Sequence, residues 1–75
     1  MSGLGDAMSF AEDRRRPGHA RNALGWTIRP GVHQFRHRAA RSFDVFDPAG
    51  ECRASVANYR AAVRAAVALM LAVRP

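Results

Sequence analysis

Four side chains of the kind that bind zinc or form a nucleophile–base pair occur in the sequence: His19, His33, His37 and Cys52. His33 and His37 have H-x3-H spacing, and zinc requires a tetrahedral set of nitrogen and sulfur ligands. No C-x2-C pair accompanies them, and the interval from His37 to Cys52 fits no zinc-finger pattern. We therefore expect no metal and no cofactor.

Nucleophilic and acid–base catalysis are equally poorly supported by the sequence. Cys52 alternates with Ala54 and Val56 on a predicted apolar strand face, where a free thiol is usually inert. Asp44 and Asp47 are close in sequence, but Asp47 is expected to stabilise a turn. Phosphate-loop, dinucleotide-binding and H-E-x-x-H motifs are missing, and 75 residues leave little capacity for a dry pocket. The sequence predicts that the protein is not an enzyme.

The distribution of charge points to an anionic partner. All 12 basic residues are arginine, and with six acids they give a formal net charge of +6. Residues 14–41 contain eight arginines and no acid, whereas residues 1–13 contain three acids and no base. Arginine binds phosphate as a planar fork and stacks on bases. GC-rich codon usage would produce the same choice of arginine over lysine, so a merely solvated basic surface remains the alternative.

Three ring side chains, Trp26, Phe35 and His37, interleave with these arginines as candidates for stacking on bases, which favours nucleic-acid binding. The sequence does not distinguish DNA from RNA. The candidate nucleic-acid-binding residues are Arg14, Arg15, Arg16, Arg21, Arg29, Arg36, Arg38, Arg41 and Trp26.

Local signals predict one hairpin and one or two further β segments. Residues 43–46 and 51–56 flank Asp47-Pro48-Ala49-Gly50, a type I turn sequence with glycine where a left-handed conformation is needed. Trp26-Thr27-Ile28 favours a strand that ends at the turn signal Pro30-Gly31. Residues 32–38 fit a strand better than a short helix. As a strand, they would place Arg36 and Arg38 on one face.

Residues 57–73 form the clearest predicted element, an alanine-rich helix capped by Asn58. Tyr59, Val63, Ala66, Met70 and Val73 follow one helical stripe. The second half is apolar nearly all round, which indicates burial on several sides or a protein partner. The candidate partner-binding residues are Val63, Val67, Leu69, Met70 and Leu71.

The predicted fold class is α+β, a small two- or three-stranded antiparallel sheet followed by one C-terminal helix (ββα or βββα), with a flexible basic N-terminal arm. Residues 1–25 are expected to be a disordered or weakly helical arm, in which Asp6 caps a short helix through Arg16, and residues 26–75 a single small domain. The order of residues 31–70 resembles, in topology only, the sheet-reading DNA-binding modules of the plant-factor and phage-integrase type. That resemblance rests on the D-P-x-G hairpin and the alanine-rich helix and assigns no family.

The longest run without charged or strongly polar residues spans only residues 65–73, so we expect no transmembrane segment and a cytoplasmic location. The main functional hypothesis is a small basic, non-catalytic nucleic-acid-binding accessory protein. The first alternative is a protein–protein interaction or homodimerisation module that uses the C-terminal helix. A spurious or vestigial product without function is the second.

Overall fold

The computed structural model of the protein describes residues 3–34 and 36–72. The elements in chain order are α1 (Gly3–Met8), β1 (Ala11–Glu12), β2 (Ala20–Arg21), β3 (Thr27–Gln34), β4 (Ala39–Phe46), β5 (Cys52–Val56) and α2 (Tyr59–Ala72).

The five strands form one antiparallel sheet in the order β1-β2-β3-β4-β5, so the predicted two- or three-stranded sheet was wrong. The two additional strands, β1 and β2, lie within the segment predicted to be a flexible arm. Each has two residues, too few for the alternating pattern by which strands are recognised in a sequence. The predicted helix from Asp6 through Arg16 was wrong: α1 spans Gly3–Met8 with Asp6 inside it, and β1 follows. The division into residues 1–25 and 26–75 stays a prediction.

β3 runs straight through Pro30-Gly31, which the sequence had indicated as a turn. β2 pairs with β3 only as far as Ala20 opposite Ile28, so the rest of β3 is an edge on that side. An edge strand tolerates proline because the missing N–H leaves no ladder bond unmade. Gly31 pairs with Ser42, and a Cβ on Gly31 would collide with the Asp44 carboxylate. A side chain at position 31 would therefore require the Asp44 carboxylate of the neighbouring strand to move.

The predicted β4–β5 hairpin is confirmed. The amide of Gly50 donates to the carbonyl of Asp47 at 2.9 Å, and Gly50 has a φ of 87°. The Asp47 carboxylate accepts hydrogen bonds from the amides of Ala49 and Glu51 at 3.0 and 2.9 Å. A register shift between Val45 and Phe46 pairs Phe46 with Cys52. Cys52 is therefore exposed rather than on the apolar face that simple alternation had predicted, because a bulge interrupts the two-residue period.

Helix α2 covers one face of the sheet, and its predicted cap is confirmed. The Asn58 side chain accepts a hydrogen bond at 2.8 Å from the amide of Ala61. Ala62, Ala66 and Met70 are buried against the sheet, where Ile28 and Val45 are fully buried. Val73, the last residue of the predicted stripe, lies outside the described residues. Among the helices that the structure describes, none has the length and apolar character to span a membrane.

The loop between β2 and β3 is fixed to the C-terminal end of α2 by the buried side chain of Asn22. Its carbonyl oxygen accepts hydrogen bonds from the amides of Leu24 and Trp26, at 3.1 and 3.0 Å. Its amide nitrogen lies 3.1 Å from the sulfur of Met70 and 3.3 Å from the carbonyl of Met8. This junction holds Trp26, only 5% exposed, in the core.

Strand directions place two arginine-rich connections at the same end of the sheet. β1 and β3 run towards this end, which contains the β1–β2 turn (residues 13–19) and the β3–β4 turn (described for residues 36–38). β5 ends level with Pro30 and Phe43, since Val56 pairs with Phe43. Residues 31–34 and 39–42 therefore continue beyond the other strands as a two-stranded ribbon, about 13 Å long before its turn.

The molecule is elongated. The molecule measures 47 × 30 × 20 Å, and its radius of gyration is 12.8 Å. A compact domain of this length would have a radius of gyration of about 11 Å. We call the ribbon together with the β1–β2 turn the basic end of the molecule.

Candidate nucleic-acid interface

The ribbon presents three arginines to solvent. Arg41 lies in β4 opposite Val32, and Arg36 and Arg38 lie in the connecting turn; all three arginines are exposed. The strand predicted for residues 32–38 ends at Gln34, because the chain reverses there to pair Gln34 with Ala39. Arg36 and Arg38 therefore belong to a turn rather than to one strand face. Phe35, proposed as a stacking residue, lies outside the described residues.

The β1–β2 turn holds a second group of exposed arginines, Arg14, Arg15 and Arg16. Its backbone is well organised: the amide of Asp13 donates to the carbonyl of His19 at 2.7 Å, and the amide of His19 donates to the carbonyl of Arg16 at 3.0 Å. A like-charge run that would be flexible in isolation is thus held in a defined turn.

The two acids next to this turn bind its own backbone. Asp13 accepts a hydrogen bond from the amide of Arg15 at 2.9 Å, and Glu12 accepts one from the amide of Gly18 at 3.0 Å. Neither forms an ion pair within 4.0 Å in the part of the chain that the structure describes. Their negative charges stabilise the turn and leave the guanidinium groups available to a ligand.

Arg21 and Arg29 lie on the sheet face opposite α2. Side chains alternate between the faces of a strand, so Thr27 and Arg29 point away from the face on which Ile28 is buried. The Arg29 guanidinium lies 4.0 Å from the ring centroid of Phe46, which belongs to β4. This contact orients a long, exposed side chain that would otherwise sample many rotamers.

A concavity of about 580 Å³ opens on this face over β1, β2 and β3. Its basic lining residues are Arg16, His19, Arg21 and Arg29, and Asp13 and Glu12 also contribute. Arg16 and His19 approach each other at 3.4 Å between Nη2 and Nδ1. The concavity joins the β1–β2 turn to the open face of the sheet.

Within the described residues, none of the candidate arginines forms an ion pair within 4.0 Å. Across residues 3–34 and 36–72, the salt bridge within 4.0 Å joins Arg53 to Asp47 at 3.3 Å, in the β4–β5 hairpin. The β4–β5 turn lies at the opposite end of the sheet from the basic end. The arginines of the basic end and the open face thus create a positive potential that an anion can use.

Trp26 and most of the proposed partner-binding residues are buried or partly buried, unlike the exposed candidate arginines. Trp26 is in the core, where its ring is not accessible for stacking on a base. Of the proposed partner-binding residues, Met70 is buried, and Val63, Val67 and Leu69 pack partly buried against the core. Leu71 is 51% exposed. The helix thus uses most of its apolar side chains within the protein.

Sequence patterns missed a polar cluster in the centre of the open face. The Asp44 carboxylate accepts hydrogen bonds from the hydroxyls of Ser42 and Ser55, at 2.9 and 2.8 Å. Asp44 lies directly opposite Arg29 across β3 and β4, next to Phe46. The pairing register brings these residues together, and no local motif could have indicated it.

Among the described residues, Asp47 and Tyr59 have shifted pKa values, and both shifts have structural explanations. The hydrogen bond from the amide of Glu51, with help from Arg53, lowers the pKa of Asp47 against an opposing effect of desolvation. Burial raises the pKa of Tyr59, and the negative charge of Glu12 adds to that effect. Tyr59 packs edge-on against Phe43 with ring centroids 6.2 Å apart. Neither group lies on the open face.

The zinc-type side chains are dispersed: His33 and His37 lie on the ribbon, His19 in the concavity, and Cys52 at the start of β5. Within the described residues, no three histidine, cysteine or acidic side chains are grouped as metal ligands. Comparisons of the chain with protein-family models, curated proteins and solved structures find no match.

Proposed function

We propose that this chain is a small, non-catalytic nucleic-acid-binding protein that contacts phosphates through its basic end. The supporting observation is the ribbon itself, which extends beyond the sheet and exposes Arg36, Arg38 and Arg41. None of these arginines has a carboxylate partner within 4.0 Å in the described parts of the chain. A protruding cationic element of this kind is suited to approach a polyanion.

The dimensions of the ribbon agree with this function. Two paired strands are about 4.8 Å apart, and the major groove of B-form DNA, about 12 Å wide, admits a two-stranded ribbon. The turn containing Arg14, Arg15 and Arg16 lies at the same end of the sheet, closer to its body. The two groups of arginines can therefore contact phosphates at different points along one nucleic acid.

The alternative of a protein partner bound by α2 has less support. The helix buries Ala62, Ala66 and Met70 in its own core, and Val67 and Leu69 are partly buried there. Leu71 is the large apolar side chain of α2 that is mostly exposed. A single exposed leucine does not form a patch of the size expected for a protein interface.

The proposal is tested by measuring the affinity for a random-sequence duplex over a range of salt concentrations. Affinity should fall steeply between about 50 and 200 mM salt, because counterions are released when arginines bind phosphates. Replacing Arg36 and Arg38 with alanine should reduce the slope of log affinity against log salt by about 2.

The matched control removes the same net charge elsewhere, with Arg53→Ala and Arg64→Ala. Both of these side chains are exposed and lie outside the basic end. The slope should stay close to that of the unaltered protein. Equal effects of the two double variants, or an affinity that does not respond to salt, would contradict the proposal.

A further inference from the structure

The open face of the sheet contains an arrangement that the proposed phosphate contacts of the ribbon do not use. Arg29 is stacked on Phe46, with its guanidinium 4.0 Å from the ring centroid. Arg29 is itself exposed to solvent. A guanidinium plane held in this way is a stacking surface for a nucleobase.

The same face provides phosphate-binding groups beside that stacking surface. Arg16, Arg21 and His19 line the concavity of about 580 Å³ together with Arg29. Arg21 lies opposite Thr27 in the adjacent strand, and Thr27 lies opposite Phe46. The positive groups and the stack are therefore continuous across three neighbouring strands.

The acids on this face restrict where a phosphate can lie. Asp44 is opposite Arg29, so its negative charge disfavours phosphates over β4 and β5. Asp13, on the other side, is hydrogen-bonded to the backbone of the β1–β2 turn, and Glu12 pairs with the buried Ala20 and therefore belongs to the face under α2. Phosphates are thus favoured over β1 to β3, with a base directed onto Arg29.

We infer that the open face binds single-stranded nucleic acid, with its phosphates at Arg16 and Arg21 and an unpaired base stacked on Arg29 above Phe46. This inference deepens the proposed function and rests on it, because it assumes a nucleic-acid ligand. It adds a strand preference: the bases of a duplex are stacked on one another and cannot reach Arg29. The protein therefore binds a single strand more tightly than a duplex of equal length.

The test compares three probes: an oligothymidylate of about ten nucleotides, a duplex of the same length, and inorganic polyphosphate, which has no bases. The informative substitution is Arg29→Lys, which keeps the charge and removes the planar stacking group. Arg29→Lys should lower the affinity for the single strand roughly five- to a hundredfold, the range of one base–aromatic stack. Its affinity for the duplex and for polyphosphate should change less than about twofold.

Arg53→Lys is the matched control, since Arg53 is an exposed arginine outside the concavity, and it should affect no probe. Thermal unfolding of each variant verifies that the fold is retained. If Arg29→Lys lowers binding of all three probes equally, or of none, the open face is not a stacking site and the inference is wrong. The proposed function would survive that result provided that Arg36→Ala with Arg38→Ala still weakens duplex binding. If the unaltered protein binds neither nucleic acid, both proposals fail.

Discussion

The face of the sheet under α2 is apolar and buried, whereas the basic end is charged and exposed to solvent. The face under α2 contains Ile28 and Val45 with no exposed area, and it is covered by the buried helix residues Ala62, Ala66 and Met70. The basic end exposes arginines that make no ion pair within 4.0 Å in the described residues. Burial of apolar surface is the main source of folding free energy, whereas isolated surface charges contribute little.

This difference separates stability from binding. Substitutions under the helix should lower the free energy of unfolding, and substitutions of the ribbon arginines should leave it nearly unchanged. The stability of a small domain is only a few kcal/mol, so losing even one large apolar contact on the face under α2 removes a substantial part of it.

The largest effect is expected for Met70→Ala. Met70 is 3% exposed and contacts the buried amide of Asn22, so truncation creates a cavity and removes a contact of that amide. The free energy of unfolding should fall by about 2–5 kcal/mol, measured by urea denaturation. Leu71→Ala, at the next position but 51% exposed, should cost less than about 1 kcal/mol. Equal losses would mean that α2 does not pack in this orientation.

Gly31→Ala should cause the next largest loss of stability, although Gly31 lies at the base of the ribbon and not under α2. The added Cβ would collide with the Asp44 carboxylate, and such overpacking costs about 1–3 kcal/mol. The double variant with Asp44→Ala should recover part of this loss, because the obstructing group is gone. Strict additivity of the two single changes in denaturant unfolding would contradict the proposed collision.

Asn58→Ala tests the start of the covering helix and should cost about 1 kcal/mol, since the amide of Ala61 loses its acceptor. Asn58→Asp retains an acceptor at the same position and should leave the thermal unfolding midpoint close to that of the unaltered protein. A loss as large with aspartate as with alanine would show that the cap is not the relevant interaction.

The smallest effect concerns acid stability at the end of the sheet opposite the basic end. The pKa of Asp47 is lowered in the folded protein from its ordinary 3.8, so its ionised form stabilises the fold at neutral pH. That stabilisation is present above 3.8 and is lost as the pH falls through the lower folded-state value. Asp47→Asn should flatten the dependence of the unfolding midpoint on pH in this acidic range. An unchanged profile would show that other groups determine acid unfolding.

The β4–β5 hairpin and α2 could be predicted from the sequence because residues close in sequence determine them. The D-P-A-G turn fixes the β4–β5 hairpin through Asp47 and Gly50, and Asn58 with an alanine-rich run fixes α2. β1 and β2 were missed because strands of two residues exist only through pairing with distant residues. The prediction ended a strand at Pro30-Gly31, whereas β3 continues through it. Proline is tolerated there because β2 stops at Ala20, which leaves β3 as an edge strand, and the local sequence does not show where β2 stops.

The candidate interface was predictable in composition but not in arrangement. The excess of arginine between residues 14 and 41 is evident in the sequence. Strand order determines that the two arginine-rich turns lie at the same end, and pairing register determines that Arg29 lies over Phe46. Trp26 was proposed as a stacking residue on its type alone, and its burial depends on Asn22 and on the covering helix.

The central claim, that the basic end binds nucleic acid, is tested most directly by a 15N–1H correlation NMR titration of the full chain with a random-sequence duplex at low salt. We predict chemical-shift changes centred on residues 14–19 and 31–41, decreasing as salt is added, with the core residues of α2 little affected. Changes concentrated in α2, or a well-dispersed spectrum that does not respond to the duplex, would contradict the claim.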